Sequence, residues 1–382
     1  MSNVNQDLLS WFQDNGFENI SDTGMTWREV GEKFNMTSEQ ARYAWRKDRK
    51  KKENLVLKSR WQVVRKGGNV EWLESYYNPN QRLSEYEIKE VLEGVKIVPY
   101  FSEMRESLDP EIVKDHPSLI LYISDQHIGA ANETNSLYGN EYNAEVLEQR
   151  LSKIISTVER LNGDLGMFKD LIICFLGDSI DSYNNQTSRG GHHLPSNMTN
   201  KEMFDCFIQS HSKFLLALVE SQVAANITVY ATANSNHPGD IEYMAMQALK
   251  YFCNAHNMPI TFHVIENFLD HFIIDDDAFI ISHGKDKQYR KSGLPKNMNP
   301  ATELYIEQYI KHHKLGNYKC HFIKGDLHIQ NSEEGKFFRY RNVGSIFGAS
   351  DWIMHNFGKT SPGADYDLCI PDIGILEGKI KL

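Results

Sequence analysis

The feature that most restricts what this chain can fold into lies beyond Ser118, where strand-length apolar runs alternate with helical ones. SLILYIS, DLIICFLG, NITVYATA, AFIISHG, YKCHFIKG and FFRYRNVGSI are short, rich in β-branched and aromatic residues, and bounded by turn residues. Between the first two stands AEVLEQRLSKIISTVERL, and between the next two NKEMFDCFIQSHSKFLLALVESQVAA, each with helical apolar spacing. Such alternation predicts an α/β body around a central sheet. HFIIDDDAFIIS reads as an antiparallel hairpin, which makes the sheet arrangement mixed.

What ends these strands carries the chemistry. The first runs into Asp125–Gln126–His127, the second into Gly177–Asp178–Ser179–Ile180–Asp181, and the third into Asn234–Ser235–Asn236–His237. Two later strands end in Ser282–His283–Gly284 and Gly325–Asp326–Leu327–His328. Carboxylate, imidazole and carboxamide are the O and N donors that a divalent cation takes. Ligands of α/β sheets gather beyond the carboxyl ends of the strands, so these side chains are expected to converge. One Asp-x-His is more often a polar turn; five strand ends in succession are not chance.

The order DxH, GDxxD, a GNH-like element, His283 and a GxxH-like element resembles the calcineurin-like metallophosphoesterase superfamily, over residues 118 to about 350. The resemblance implies a four-layer α/β sandwich, mixed sheets flanked by helices, that holds two divalent metal ions. It implies Asp125, His127 and His328 on one ion, Asn236, His283 and the residue at 326 on the other, and Asp178 bridging both. Asp181 would orient a ligand from behind, and His237 would act as general acid while a water activated between the ions attacks phosphorus. Two positions depart from the family: Asp326 stands where it usually has His, and Pro238 where it usually has an acid. A carboxylate at 326 favours Mn2+ or Mg2+, with Mn2+ expected first and Zn2+, Ni2+ or Fe admissible; the contrary consequence is a weakened second ion. Asp240 is a candidate substitute for the acid lost at 238.

After Asp181, SYNNQTSRGGHHLPSN offers Arg189, His192 and His193 as contacts for a substrate phosphate. The absence of Arg directly after Asp181 speaks against the phosphoprotein phosphatase branch of the superfamily.

Residues 1–78 read as a separate module. MTWREVGEKFNMTSEQARYAWRK predicts two helices around a turn, with Thr26 and Glu29 as a capping box and Thr37 or Ser38 capping the second. This resembles a helix-turn-helix whose recognition helix carries Arg42, Arg46, Lys47, Arg49 and Lys50 as nucleic-acid contacts. RWQVVRKGGNVEWLESYY predicts a wing-like hairpin about Gly67–Gly68–Asn69. Eleven lysines and arginines between Arg42 and Lys66 face only Asp48 and Glu53, although the net charge of the chain is −10. DNA, if bound, meets this module first, because the acidic remainder repels phosphate. Residues 79–115 are expected to form a helical connector and 116–382 the catalytic domain.

No apolar run nears the ~20 residues of a membrane helix, and the N-terminal residues lack a secretory pattern. The five cysteines are scattered and form no CxxC, so they read as thiols of a reducing compartment. A cytoplasmic protein, not a membrane protein, is expected, with DNA as partner and a homodimer or partner subunit admissible. The function expected is a DNA phosphodiesterase, a nuclease resembling SbcD-like and phage-encoded members. A phosphomonoesterase or small-nucleotide phosphodiesterase is the alternative, and a DNA-binding regulator with a decayed catalytic domain the second.

Overall fold

The computed structural model describes residues 113–131, 141–286, 292–357 and 361–382. It also describes 24–38, a few neighbours (8, 10–12, 14, 15, 40, 41 and 44) and two strands between residues 56 and 77. The chain divides into two compact units, Met1–Ile97 and Val98–Leu382.

In the first unit, helix α1 (Trp27–Lys33) begins at Thr26 with the expected capping box: the Thr26 N–H donates to Glu29 at 2.7 Å and the Glu29 N–H to Thr26 Oγ1 at 3.4 Å. Thr37 and Gln40 repeat the device, each backbone N–H donating to the other's side chain, and Ser38, Gln40, Ala41 and Ala44 are helical. Leu8, Phe12, Val30, Ala41 and Ala44 form a small buried cluster. Strands β1 (Val56–Val64) and β2 (Val70–Tyr77) pair antiparallel, Val64 opposite Val70, which is the expected hairpin. Arg42, Arg46, Lys47, Arg49 and Lys50 lie outside the described residues, as does the connector up to residue 112.

The second unit is a four-layer sandwich. One sheet has six strands, in chain order β3 (Ser118–Ile123), β4 (Phe168–Phe175), β5 (Ala224–Thr232), β6 (Ile260–Ile265), β12 (Gly363–Ile370) and β13 (Gly374–Lys381). β3 to β6 are parallel, and β12 and β13 add antiparallel at the β3 edge. The other sheet is ordered β10 (Asn331–Glu334), β11 (Phe338–Asn342), β9 (Lys319–Lys324), β8 (Asp277–Ser282) and β7 (Asp270–Ile274). There β11, β9 and β8 are parallel, and each outer strand is antiparallel to its neighbour.

Period-two alternation separates the layers. Leu119, Leu121 and Ile123 face helices α2 (Ala144–Leu165), α3 (Asn200–Glu220) and α4 (Asp240–Ala255), packing on Leu151, Ile154, Phe207, Phe214, Ala245 and Leu249. Ile120 and Tyr122 face the opposite way and meet Phe279, Ile281 and Ile323 between the sheets. Ala278, Ile280 and Phe322 point outward again, under Ile306 and Ile310 of α5 (Pro300–His312). Local signals start the helices where the sequence has them: the Asn143 side chain caps α2, a Thr199–Glu202 capping box opens α3, and Asn299 followed by Pro300 opens α5.

β6, β10, β12, β13 and α4 are not among the elements expected from the sequence. β10 is NSEE, and β12 buries Asp365 and Asp367 against Arg341, so neither shows an apolar alternation. A last short helix, α6 (Asp351–Phe357), follows the loop after β11.

Candidate metal centre

The carboxyl ends of β3, β4, β5, β8 and β9 open on one place, and the backbone there is unusual. Asp125, His127, Asp178, Asp326 and His328 all have left-handed φ, between 47° and 72°. Each such non-glycine residue costs on the order of 1–2 kcal/mol, and strain of this kind persists only where surroundings over-determine it. Here they do: the N–H groups of Asp125, His127 and Ile128 donate to Gly177, Asp178 and Ser179 carbonyls at 2.9–3.0 Å. The loop after β11 closes the other side, with Ile346 and Phe347 N–H on the Ser124 and Asp125 carbonyls at 3.0 Å and Ser345 Oγ on the latter at 2.8 Å. Glycine at 325 permits this approach, since a Cβ there would stand 2.7 Å from Asp125 Oδ2.

Four imidazoles are held by Nδ1. His283 donates to the Leu176 carbonyl at 2.7 Å, His328 to Gly348 at 2.6 Å and His237 to Asp181 at 2.9 Å. A carbonyl only accepts, so Nδ1 carries the proton in each ring. His127 Nδ1 lies 3.0 Å from Asp181 Oδ1. Every Nε2 is thereby turned inward, where a cation can take the place of its proton, the arrangement that metal-binding histidines need. His127 and His328 Nε2 lie 3.1 Å apart and 3.8 and 3.3 Å from Asp125 Oδ1. His283 Nε2 lies 3.1 Å from both Asp178 Oδ2 and Asn236 Oδ1. Asp125 Oδ1 is buried without a hydrogen-bond partner among the described residues. An orphaned carboxylate oxygen beside two converging nitrogens is what a cation would satisfy. The donor set fits a pair of divalent ions: Asp125, His127 and His328 form one cluster, and Asp125, Asp178 and His283 another.

Without cations, protons do their work. Burial disfavours a charged His283, yet Asp178 outweighs it and pushes the ring up to about 10; Asp125 likewise raises His328 against its burial. Burial opposes ionisation of Asp125, but His328 holds its carboxyl down to about 2. Asp178 is carried well below the usual carboxylate range by His283 and His237, despite its burial.

His237 differs from the other rings. Its side chain is 22% exposed, against 3–4% for His127, His283 and His328. Its carboxylate neighbours are Asp178 and Asp181, at 3.9 and 3.8 Å. Asp240, considered from sequence as its partner, is exposed at the start of α4.

The remaining expected residues sit around this group. Asp326 donates its N–H to Asp125 Oδ2 at 3.1 Å, and its carboxylate belongs to none of the clusters of converging ligand atoms among the described residues. Arg189 grips the Asp286 carbonyl and carboxylate at 2.7 Å, while its N–H and that of Ser188 donate to the Asn236 and His237 carbonyls. His192 is exposed on the same loop.

Sequence reasoning missed two buried ions. Glu242 accepts the Ser179 N–H at 2.9 Å and the Ser235 hydroxyl, tying the Asp178 loop to the Asn236 loop. Burial and Asp178 push its carboxyl up to about 7. Its signal was an acid on the apolar stripe of α4, beside Ala245, Met246 and Leu249. Lys324, the last residue of β9, is fully buried, and burial draws its ammonium down to about 8 although Asp326 and Asp125 resist.

No protein-family model matches this chain, and no curated protein does. Solved structures with a similar fold include an archaeal phosphodiesterase, 16% identical over 69% of this chain and 99% of that one, with a TM-score of 0.33. Vps29 from Entamoeba histolytica complexed with Zn2+ is 13% identical over 69% and 98%, with a TM-score of 0.28. GAP50, the anchor in the inner membrane complex of Plasmodium, is 8% identical over 70% and 85%, with a TM-score of 0.36. Likenesses this distant leave the function to be read from the site.

Metal uptake should release protons. The shifts of His283 and His328 are upward, so both rings are charged below their raised pKa values, and affinity should weaken as pH falls. Calorimetric titration with Mn2+ in two buffers of unlike ionisation enthalpy checks this; identical apparent enthalpies would refute it. Glu242→Leu, which orphans the buried Ser179 N–H, should cost about 1–3 kcal/mol in denaturant unfolding, while Glu242→Gln stays near the parent.

Proposed function

We propose that residues 116–382 form a phosphoric ester hydrolase that works with two divalent metal ions, and that its substrate is a DNA phosphodiester. One observation carries the metal dependence: buried imidazoles of His127, His283 and His328, each with Nδ1 tied back, aim Nε2 at the carboxylates of Asp125 and Asp178. Asp125, His127 and His328 would hold one ion, Asn236 and His283 the other with Asp326 beside it, and Asp178 would be shared. When bound, such ions supply Lewis acidity toward phosphoryl oxygens and a water acidic enough to attack near neutral pH.

The chain's own residues do the rest. Asp181 fixes the His127 ring through Nδ1 and receives the His237 N–H on its carbonyl. Held that way, His237 presents Nε2 on the one partly exposed ring of the group. Burial disfavours its charge, but Asp178 and Asp181 hold the imidazolium up to about 9. In the metal-free chain it therefore carries a proton, and the Asp181 carbonyl and carboxylate, which no ion would claim, keep the ring suited to deliver one to the leaving alkoxide. Ser188 and Arg189, stitched to the Asn236–His237 segment, bring the 182–197 loop to the same place, with His192 exposed on it.

The preference for DNA rests on the N-terminal module. Its helix pair with two capping boxes and its hairpin precede an acidic body that does not attract a polyanion, and its basic residues are concentrated between positions 42 and 66. A small-ester phosphatase has no use for such a tether.

Asp178→Asn should abolish turnover and lower metal content, because both ions lose a shared anionic ligand. His237→Ala should keep its metal and lose about 10²–10⁴ in rate, together with the alkaline limb of the pH profile; equal metal loss in the two variants would overturn this assignment of roles. With Mn2+, linear DNA and bis-p-nitrophenyl phosphate should be cleaved faster than p-nitrophenyl phosphate. Intact DNA with brisk monoester turnover would make the chain a phosphomonoesterase, and no hydrolysis with at most one ion bound would make it a regulator. Replacing Arg46 and Lys47 by Ala should reduce the slope of log affinity for DNA against log salt by about 2, leaving bis-p-nitrophenyl phosphate hydrolysis unchanged.

A further inference from the structure

The sequence offers Arg189 as a contact for a substrate phosphate, but its Nη1 is already committed. It donates to the Asp286 carbonyl and to Asp286 Oδ1, each at 2.7 Å. The Arg189 side chain is 18% exposed and that of Asp286 not at all. A carboxylate withdrawn from water needs a charged, hydrogen-bonding partner, and losing that partner is strongly destabilising.

The pair closes a ring through the loops after β4, β5 and β8, which carry the metal centre. Arg189 stands in the first of these. Asp286 follows His283 in the last and pairs as an antiparallel bridge with Ser235, next to Asn236. Main chain completes the ring: the Arg189 N–H donates to the Asn236 carbonyl at 3.0 Å and the Ser188 N–H to the His237 carbonyl at 2.8 Å. The Arg189 turn is itself well tied. Thr187 Oγ1 donates to the Arg189 carbonyl at 2.8 Å and the Thr187 N–H to the His192 carbonyl at 2.9 Å, with Gly190 and Gly191 turning between them at φ 82° and 62°. His237 is also held from the β4 loop. Asp178 Oδ1 accepts its N–H at 3.1 Å, and the Asp181 carbonyl accepts from its ring at 2.9 Å.

We propose that Arg189 is a positioning residue: its ion pair with Asp286 holds the Asn236–His237 segment in register with Asp178 and Asp181, so that His237 Nε2 meets the leaving oxygen. This role rests on the general acid proposed above and gives Arg189 no contact with substrate. Misplacing a catalytic group by about 1 Å can cost about 10² in rate. The loss falls on esters that leave as alkoxides, which need a proton, more than on those that leave as p-nitrophenolate.

The test uses the full chain with Mn2+ and compares linear DNA with bis-p-nitrophenyl phosphate. In a chain that prefers monoesters, glycerol phosphate and p-nitrophenyl phosphate form the same pair. Arg189→Met should lose about 10² in kcat on the alkoxide ester, and at least about tenfold less on the nitrophenyl ester. Arg189→Met/His237→Ala should be no slower than His237→Ala, because one residue acts through the other. Equal losses on the two esters, a raised KM with kcat kept, or a double variant measurably slower than His237→Ala each overturn the proposal. Should Arg189→Met fail to fold, Arg189→Met/Asp286→Asn, which leaves no buried charge alone, carries the same expectations. A parent that turns over neither ester, or a His237→Ala variant as fast as the parent, counts against the function proposed above, and hydrogen exchange then decides for or against the brace. Ser188 and His237 amides that exchange about tenfold faster or more in Arg189→Met support it, and unchanged exchange overturns it.

Discussion

An imidazole can offer one nitrogen to a cation in a fixed direction only if its other nitrogen is held, and this constraint organises the strand ends of the second unit. Three of the four anchors are main-chain carbonyls, of Leu176, Asp181 and Gly348, and the fourth is the Asp181 carboxylate. The Leu176 carbonyl is free because β4 has just ended, and those of Asp181 and Gly348 lie in the loops that follow β4 and β11. The polar centre thus depends on where the sheets stop, and the apolar layers beneath decide that.

Packing and strain are settled together. Ile120, Tyr122, Phe279, Ile281 and Ile323 lock one sheet on the other, which brings the β3–β4 ends within reach of the β8–β9 ends. The left-handed residues at Asp125, His127, Asp178, Asp326 and His328 then turn each strand end sharply, and hydrogen bonds between neighbouring loops keep them there. Asp, Asn and His tolerate that conformation better than most side chains and are also good metal donors. One set of residue types meets both demands.

Much of this is legible in the sequence, for a physical reason. β3, β4, β8 and β9 are covered on both faces, so they read as continuous apolar runs, and a carboxylate or imidazole directly after such a run stands out. The helices α2 and α3, with strong caps, are equally plain. Legibility fails where burial is polar. Asp365 and Asp367 of β12 lie buried beside Arg341, Gln330 and Tyr122, a partnership that no local pattern reveals. Glu242 and Lys324 look like surface charges until the loops they serve are seen in space. Gly344–Gly348 carries no motif, although its carbonyl and amide groups close the centre. The basic stretch of Arg42, Arg46, Lys47, Arg49 and Lys50 is evident from charge alone, and these residues lie outside those described.

The span of the centre along the chain has a consequence for folding. His127 and His328 meet across 201 positions, and Asp125 is closed over by Ser345 from 220 positions away. Pairings so distant in sequence form late, after loop closure has been paid for by the two sheets docking. Until the loop after β11 has docked on the Ser124 and Asp125 carbonyls, the side chains at the other strand ends have no shared enclosure to face.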